Sequence, residues 1–152
     1  MVLESKKRSA SKGNKPVVYV LEGSPIPLAR MRISKYAHLG GGRYVYDSQK
    51  ELKLITSITI KSQHGDRPLY SGPLHMDMNF YFPVKKTRHD INEGDYHFYK
   101  PDLDNLVKMV LDICQFVIFK NDDSRVSEIT CKKMYTYEHP RTEFTVYELK
   151  DK

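Results

Sequence analysis

The sequence predicts a single α/β domain, α+β-like, in which a mixed β-sheet packs with two helices. Apolar and polar residues alternate along residues 74–82, which is typical of a strand with one buried face. Apolar residues recur every three or four positions along residues 103–114, which is typical of a helix that packs on a core. A chain of 152 residues has the length of one ordinary domain. The predicted element order is β-β-α-β-α-β-β.

The first three elements are predicted from short local patterns. Residues 17–22 (VVYVLE) are β-branched and aromatic, lie between Pro16 and Gly23, and predict the first strand. The segment 23–32 (GSPIPLARMR) holds two prolines and is expected to be extended. A second strand is predicted at 43–46, after a glycine turn. A helix is predicted to begin at Ser48, in a capping-box pattern with Asp47 as the alternative cap, and to end near residue 64.

The remaining elements follow from periodicity and turn residues. The alternating strand 74–82 is followed by a long loop, 83–101. Asp102 is a natural N-cap for the helix that follows it. A tight turn at 121–124 leads into strands predicted at 126–137 and 142–149, joined at residues 139–141.

The charge of the chain suggests a polyanionic partner. The formal net charge is +6, and five basic residues against one acidic residue in the segment 1–15 supply most of it. This segment has no periodicity and is predicted to be a disordered basic arm on a domain that spans 16–152. No apolar run is long enough to cross a bilayer and the chain has only two cysteines, so we expect no membrane partner and a cytoplasmic protein.

A group of acidic residues suggests metal chemistry. Asp104 and Lys108 are one helical turn apart, off the apolar face, and Asp102 begins the same helix. We expect the turn at Asp122 and Asp123 to approach the first turn of this helix. Converging carboxylates need a cation, and hard oxygen ligands are what Mg²⁺ prefers. The residues also allow a structural role, with Asp102 as a cap, Asp104 and Lys108 as a surface pair, and the two later aspartates as a turn.

Two separated motifs resemble a known family. The segment 100–108 (KPDLDNLVK), followed by a helix and then by 122–126 (DDSRV) and Lys132, is similar to the signature of the RusA-type Holliday-junction resolvases. The segment 23–32 and the pair Tyr46-Asp47 resemble that family's opening motifs. The resemblance covers residues 17–149, and it departs from the family at Arg125, where glutamine is usual, and in the long loop 83–99.

The resemblance implies a homodimeric, Mg²⁺-dependent endonuclease, with Mn²⁺ as a substitute, that nicks four-way DNA junctions symmetrically in DNA recombination and repair. The positions that match the family's essential residues are Asp102, Asp104, Asp123 and Lys108, of which the three aspartates are the expected metal ligands. Asn105 and Asp122 are expected to support these ligands. The basic residues expected to contact DNA phosphates are Arg30, Arg32, Lys35, Arg43, Lys85, Lys86, Arg88 and Lys100.

Three alternatives stay open on the sequence alone. They are a nuclease for other branched DNA such as flaps, a DNA-binding module without catalysis, and an interaction protein with a basic tail. The sequence also leaves open whether the source is cellular, or a phage or other virus.

Overall fold

The computed structural model describes residues 15–33 and 45–150. The elements in chain order are β1 (Val18–Glu22), β2 (Arg32–Ile33), β3 (Val45–Tyr46), α1 (Lys50–His64), β4 (Leu74–Pro83), α2 (Leu103–Cys114), a 3₁₀ turn (Asp123–Arg125), β5 (Val126–Thr136) and β6 (Arg141–Glu148). The predicted mixed sheet with two helices is confirmed, and the short strand β2 is added to the predicted order. Residues 1–14 of the predicted basic arm lie outside the described residues.

The main sheet has four strands in the order β1-β6-β4-β5. β4 is antiparallel to β6 and parallel to β5, and β6 is antiparallel to β1. β2 and β3 form a separate antiparallel pair. Because parallel strands begin at the same end of a sheet, the chain must return between β4 and β5, and α2 makes that return. The two ends of α2 therefore lie near opposite ends of the sheet.

The alternation predicted for β4 is confirmed. Leu74, Met76 and Met78 are fully buried, and Phe80 is 1% exposed. The polar residues between them lie on the other face and are partly exposed. On α2, the buried positions that pack against this apolar face are Leu106, Met109, Val110, Ile113 and Cys114. Both cysteines are free thiols.

The start of α1 differs in detail from the predicted capping box. The N-cap is Gln49, and no side chain makes a capping hydrogen bond, so the predicted caps Ser48 and Asp47 are both wrong. The Asp47 carboxylate instead accepts a hydrogen bond from the backbone N–H of Gln49 at 2.9 Å, in the turn that precedes the helix. Lys53, on the next turn, lies 2.7 Å from Asp47 and 3.3 Å from Asp112 of α2. This bridge links the two helices.

The long predicted loop is confirmed, and it follows the open edge of β5. Tyr96 forms an antiparallel bridge with Met134. The backbone N–H of His97 donates to the carbonyl oxygen of Lys133 at 3.0 Å. These contacts fix the chain as it approaches α2. In the described ranges, neither helix is long and apolar enough to cross a membrane.

Candidate active site

Asp102 immediately precedes α2, and its side chain pairs with a lysine rather than with the helix backbone. It occupies the N-cap position, as predicted, in an extended conformation, but it makes no side-chain capping hydrogen bond. Instead, the ammonium of Lys100 donates to the Asp102 carboxylate at 2.6 Å. The Asp102 side chain is 51% exposed, so the carboxylate is accessible from solvent.

Asp104 and Lys108 form the predicted pair on the surface of α2. The Lys108 ammonium lies 3.6 Å from the Asp104 carboxylate, and the two side chains are 59% and 67% exposed. An exposed pair of this kind contributes little to stability because water and salt screen it. Both side chains can therefore change partners at low cost when a ligand binds.

The electrostatic environment keeps Asp102 ionised. The hydrogen bond from Lys100 holds the pKa of this carboxyl below its usual range, and the charges of Lys100 and Lys133 add to the effect. Ionised carboxylate oxygens are the ligand type that Mg²⁺ and Mn²⁺ take.

The segment after β1 passes next to the first turns of α2. The backbone N–H of Leu28 donates to the carbonyl oxygen of Asn105 at 2.9 Å. The side-chain amide of Gln49 holds this segment from the other side, accepting from the N–H of Ala29 and donating to the carbonyl of Pro27. Arg30, two residues after Leu28, is exposed. In this contact Asn105 takes part through its backbone carbonyl, and its predicted support of the metal ligands stays a prediction.

Lys133 is a contributor that the sequence prediction missed. Its ammonium donates to the carbonyl oxygens of Tyr99 at 2.7 Å and Pro101 at 2.8 Å. It is paired in register with Phe80, so its side chain lies on the face of the sheet that packs against helices. A lysine in an otherwise apolar alternation (Ile129, Cys131, Tyr135) is the signal that could have identified it.

The second acidic motif forms the 3₁₀ turn before β5. The Asp122 carboxylate accepts from the backbone N–H of Ser124 at 3.0 Å and also from its hydroxyl. These two hydrogen bonds, the hydroxyl first, lower the pKa of Asp122. Arg125, the departure from the family pattern, donates to the carbonyl oxygen of Ser71 and ties the turn to the loop before β4. Asp122 and Arg125 thus shape the turn that presents Asp123.

Asp123 lies at the opposite end of α2 from Asp102 and Asp104. Val126 pairs with Leu74 at the start of the parallel strands, whereas Pro101 contacts Lys133, seven residues further along β5. Seven strand residues span roughly 20 Å, and so do the 12 residues of α2. One chain therefore does not bring the three carboxylates together, contrary to the expectation from the turn. In the described parts of the chain, no three Asp, Glu, His or Cys side chains form a metal-binding group.

The basic residues expected to contact DNA fall into three groups. Arg30, Arg32, Lys85, Lys86 and Lys100 are exposed, and Lys100 is paired with Asp102. Arg88 is held in a bidentate pair by Asp90, at 2.8 and 2.9 Å. Lys35 and Arg43 lie outside the described residues.

Comparison with known proteins defines the class of this chain. Residues 22–147 match the family model described as endodeoxyribonuclease RusA, and this range includes both the α2 motif and the 3₁₀ turn. The chain belongs to this family, and membership implies a DNA endonuclease activity of the Holliday-junction resolvase kind. The uncharacterized protein YqaN of Bacillus subtilis (strain 168) is 35% identical over 98 residues, which is 59% of this chain and 68% of YqaN.

Proposed function

We propose that the protein is a divalent-metal-dependent endonuclease that resolves four-way DNA junctions by paired symmetric nicks, as a homodimer, in DNA recombination and repair. The observation that carries this proposal is the exposed group formed by Asp102, Asp104 and Lys108 at one end of α2, in a chain of the RusA family.

The carboxylates suit a magnesium ion by their chemistry. Asp102 and Asp104 offer hard oxygen donors at the first turn of α2, and each is neutralised by a single exposed lysine. A bound Mg²⁺ or Mn²⁺ ion would supply an activated water and charge neutralisation at the phosphate. Carboxylates together with water and a DNA phosphate are the ligands that Mg²⁺ usually takes.

Two lysines would act on the DNA directly. When a cation neutralises the carboxylates, Lys100 and Lys108 lose part of the attraction that holds them to Asp102 and Asp104. Each ammonium can then donate to a phosphate oxygen. Lys108 is the better placed of the two to stabilise negative charge that develops during cleavage, because it projects from the rigid helix rather than from the preceding loop.

Asp123 would complete the site from a second subunit. In a dimer with twofold symmetry, one surface region of the first chain contacts a different region of the second chain, and the reverse contact is then also made. If the Asp102 end of one α2 meets the 3₁₀ turn of the other subunit, two equivalent sites form. Each site would contain Asp102 and Asp104 of one chain and Asp123 of the other. Within one chain, Asp123 lies roughly 20 Å from the Asp102 end of α2. In the dimer, Asp123 of the second chain would take the place that Asp123 of the first chain cannot reach, so three carboxylates could bind one metal ion.

The exposed basic residues would bind the DNA backbone near these sites. Arg30 and Arg32 follow Leu28, whose backbone N–H donates to the Asn105 carbonyl in the first turns of α2. Lys35 and Arg43, the other predicted phosphate-binding residues of this part of the sequence, come after them in the chain. Lys85 and Lys86 begin the segment that returns along β5. Arg88 would contribute less, because Asp90 already neutralises it.

The test is a cleavage assay on labelled four-way junctions, flaps and linear duplex with millimolar Mg²⁺. We expect symmetric paired nicks in the junction and little cutting of linear duplex. Asp102→Asn, Asp104→Asn and Asp123→Asn should each abolish cutting and leave junction binding intact, whereas the exposed control Asp66→Asn should cut normally. Preferential cutting of flaps would assign a different branched substrate, and junction binding without any cutting would indicate a binding module.

A further inference from the structure

Two exposed aromatic rings lie just before the candidate metal ligands. Phe98 is 76% exposed and Tyr99 is 51% exposed. Phe116 and Tyr96 are also exposed, at 70% and 72%, but Phe98 and Tyr99 are adjacent in the chain and lie within four residues of Asp102. Adjacent large apolar groups left in water often mark a binding surface.

These rings are stacked on each other and connected to the core. The ring centroids of Phe98 and Tyr99 are 4.6 Å apart with an interplanar angle of 27°. Tyr99 meets His97 edge to face at 6.2 Å, and His97 stacks on Phe82 at 4.2 Å. Phe82 is buried in the apolar face of β4. The exposed pair is therefore the outer end of a continuous series of aromatic rings.

The backbone of this segment is also fixed. His97 is hydrogen-bonded to the backbone of Lys133, and the Lys133 ammonium binds the carbonyl oxygen of Tyr99 at 2.7 Å. Rings held in this way lose little conformational freedom when they bind a flat ligand, so more of the contact energy is available for binding.

The position of the rings relates them to the DNA strand that would be cut. Phe98 precedes Asp102 by four residues, which limits the separation of their Cα atoms to about 14 Å. That limit equals the rise of about four nucleotides along the axis of duplex DNA, at about 3.4 Å each. Lys100 lies between the two residues and is 84% exposed, so the surface beside the rings is suited to a phosphate backbone.

We propose that Phe98 and Tyr99 form a base-stacking platform that receives an unstacked base close to the phosphate that is cut. The proposal rests on the proposed function and adds a determinant of its preference for branched DNA. In continuous duplex, both faces of each base are covered by its neighbours. At a branch point a base face is open, and an aromatic ring can cover it. A second copy of this chain is the competing occupant of the same rings.

The experiment compares three variants of the full chain in EDTA, where binding is measured without cutting. Phe98→Ala removes the outer ring and Phe98→Trp keeps a ring there. Tyr96→Ala removes an equally exposed ring, 72% exposed, from the same segment as a matched control. The affinities for a four-way junction and for linear duplex are measured, together with the fluorescence of 2-aminopurine at the branch point and the subunit count by light scattering.

For Phe98→Ala, we expect junction binding to weaken between about fivefold and a hundredfold, and duplex binding to change by less than about twofold. The 2-aminopurine quenching that the wild-type protein causes should be lost, and Phe98→Trp should restore both properties. Equal losses for junction and duplex, or an equal effect of Tyr96→Ala, would overturn the proposal. A Phe98→Ala protein that becomes monomeric would do so as well, because the ring would then be part of the subunit interface. A wild-type protein without junction preference would instead refute the proposed function.

Discussion

The ammonium of Lys133 lies 2.8 Å from the carbonyl oxygen of Pro101, the residue directly before Asp102. The same ammonium also binds the carbonyl of Tyr99. One side chain from the sheet thus fixes the backbone that presents both the aromatic pair and the first carboxylate of the candidate active site. Lys133 also contributes to the low pKa of Asp102.

Lys133→Met should loosen this backbone and slow DNA cleavage. The substitution keeps the unbranched stem and removes the donor to two carbonyl oxygens, so the free energy of unfolding should fall by about 1–2 kcal/mol. The measurement is urea unfolding together with junction cleavage. Lys132→Met is the control, because it removes the same charge from the adjacent, exposed position on the other face of β5. It should change the unfolding midpoint little, and an equal loss of stability in both variants would contradict the assignment.

Much of the fold could be predicted because the signals are periodic and local. The alternation in β4 and the apolar stripe on α2 each depend only on which residues are apolar. In the structure, the buried positions of both elements are apolar. The two-residue strand β2 was not predicted, because so short a segment has no periodicity of its own. It pairs with β3 in a register that only the folded chain defines.

The candidate site was predicted in its residues but not in its arrangement. Asp102, Asp104 and Lys108 are close in sequence, so helical geometry alone relates them. The position of Asp123 depends on the direction in which α2 runs between the parallel strands β4 and β5. This direction places Asp123 at the end of α2 opposite Asp102. Lys133 was missed because its partners are backbone carbonyls more than 30 residues away, which no local pattern encodes.

His97 should make stability depend on pH. Burial, and then the charge of Lys133, lower the pKa of His97 below its ordinary value, so the folded protein disfavours protonation more than the unfolded chain does. The resulting stabilisation is complete above the unfolded pKa of about 6.5 and is lost as the pH falls toward the folded value. The urea midpoint should therefore drop between pH 7 and pH 5.

His97→Phe keeps a ring stacked on Phe82 but cannot titrate, so its urea midpoint should drop less over the same pH range. The other histidines are unchanged in this comparison and cancel in the difference. Equal pH dependence of the two proteins would show that His97 is not the group responsible. The titration of the His97 ring protons by NMR gives the pKa directly.

Removal of divalent metal should stop cleavage without preventing DNA binding. Millimolar Mg²⁺ or Mn²⁺ should support cutting, and EDTA should abolish it. Ca²⁺ should support binding but not cutting, because its larger and more flexible coordination shell positions a water poorly. Cleavage rates and junction affinities in each ion provide the measurement, and full activity in EDTA would exclude the metal-dependent mechanism.

Deletion of residues 1–15 should weaken binding to junction and duplex alike. The segment carries five basic residues, so the slope of log K against log salt should become shallower by at most about 4–5, at roughly 0.9 for each phosphate that the segment neutralises. Junction preference should survive, because the segment precedes the residues that match the family. An unchanged salt slope would show that the segment does not bind DNA, and a selective loss of junction binding would place part of the recognition surface in it.

Mixing two inactive variants should restore cleavage if each site is shared between subunits. A mixed dimer of Asp102→Asn and Asp123→Asn has one site with both substitutions and one site with neither. With random assembly, half of the dimers are mixed and one of their two sites is intact, so about a quarter of the sites should cut. The product should be a single nick rather than a paired cut.

The matched control mixes Asp102→Asn with Asp104→Asn. Both residues would come from the same subunit in each site, so every site of a mixed dimer carries one substitution and none should cut. If the first mixture, exchanged through a denaturation and refolding step, stays inactive while refolded wild-type protein cuts, Asp123 does not act across the subunit boundary.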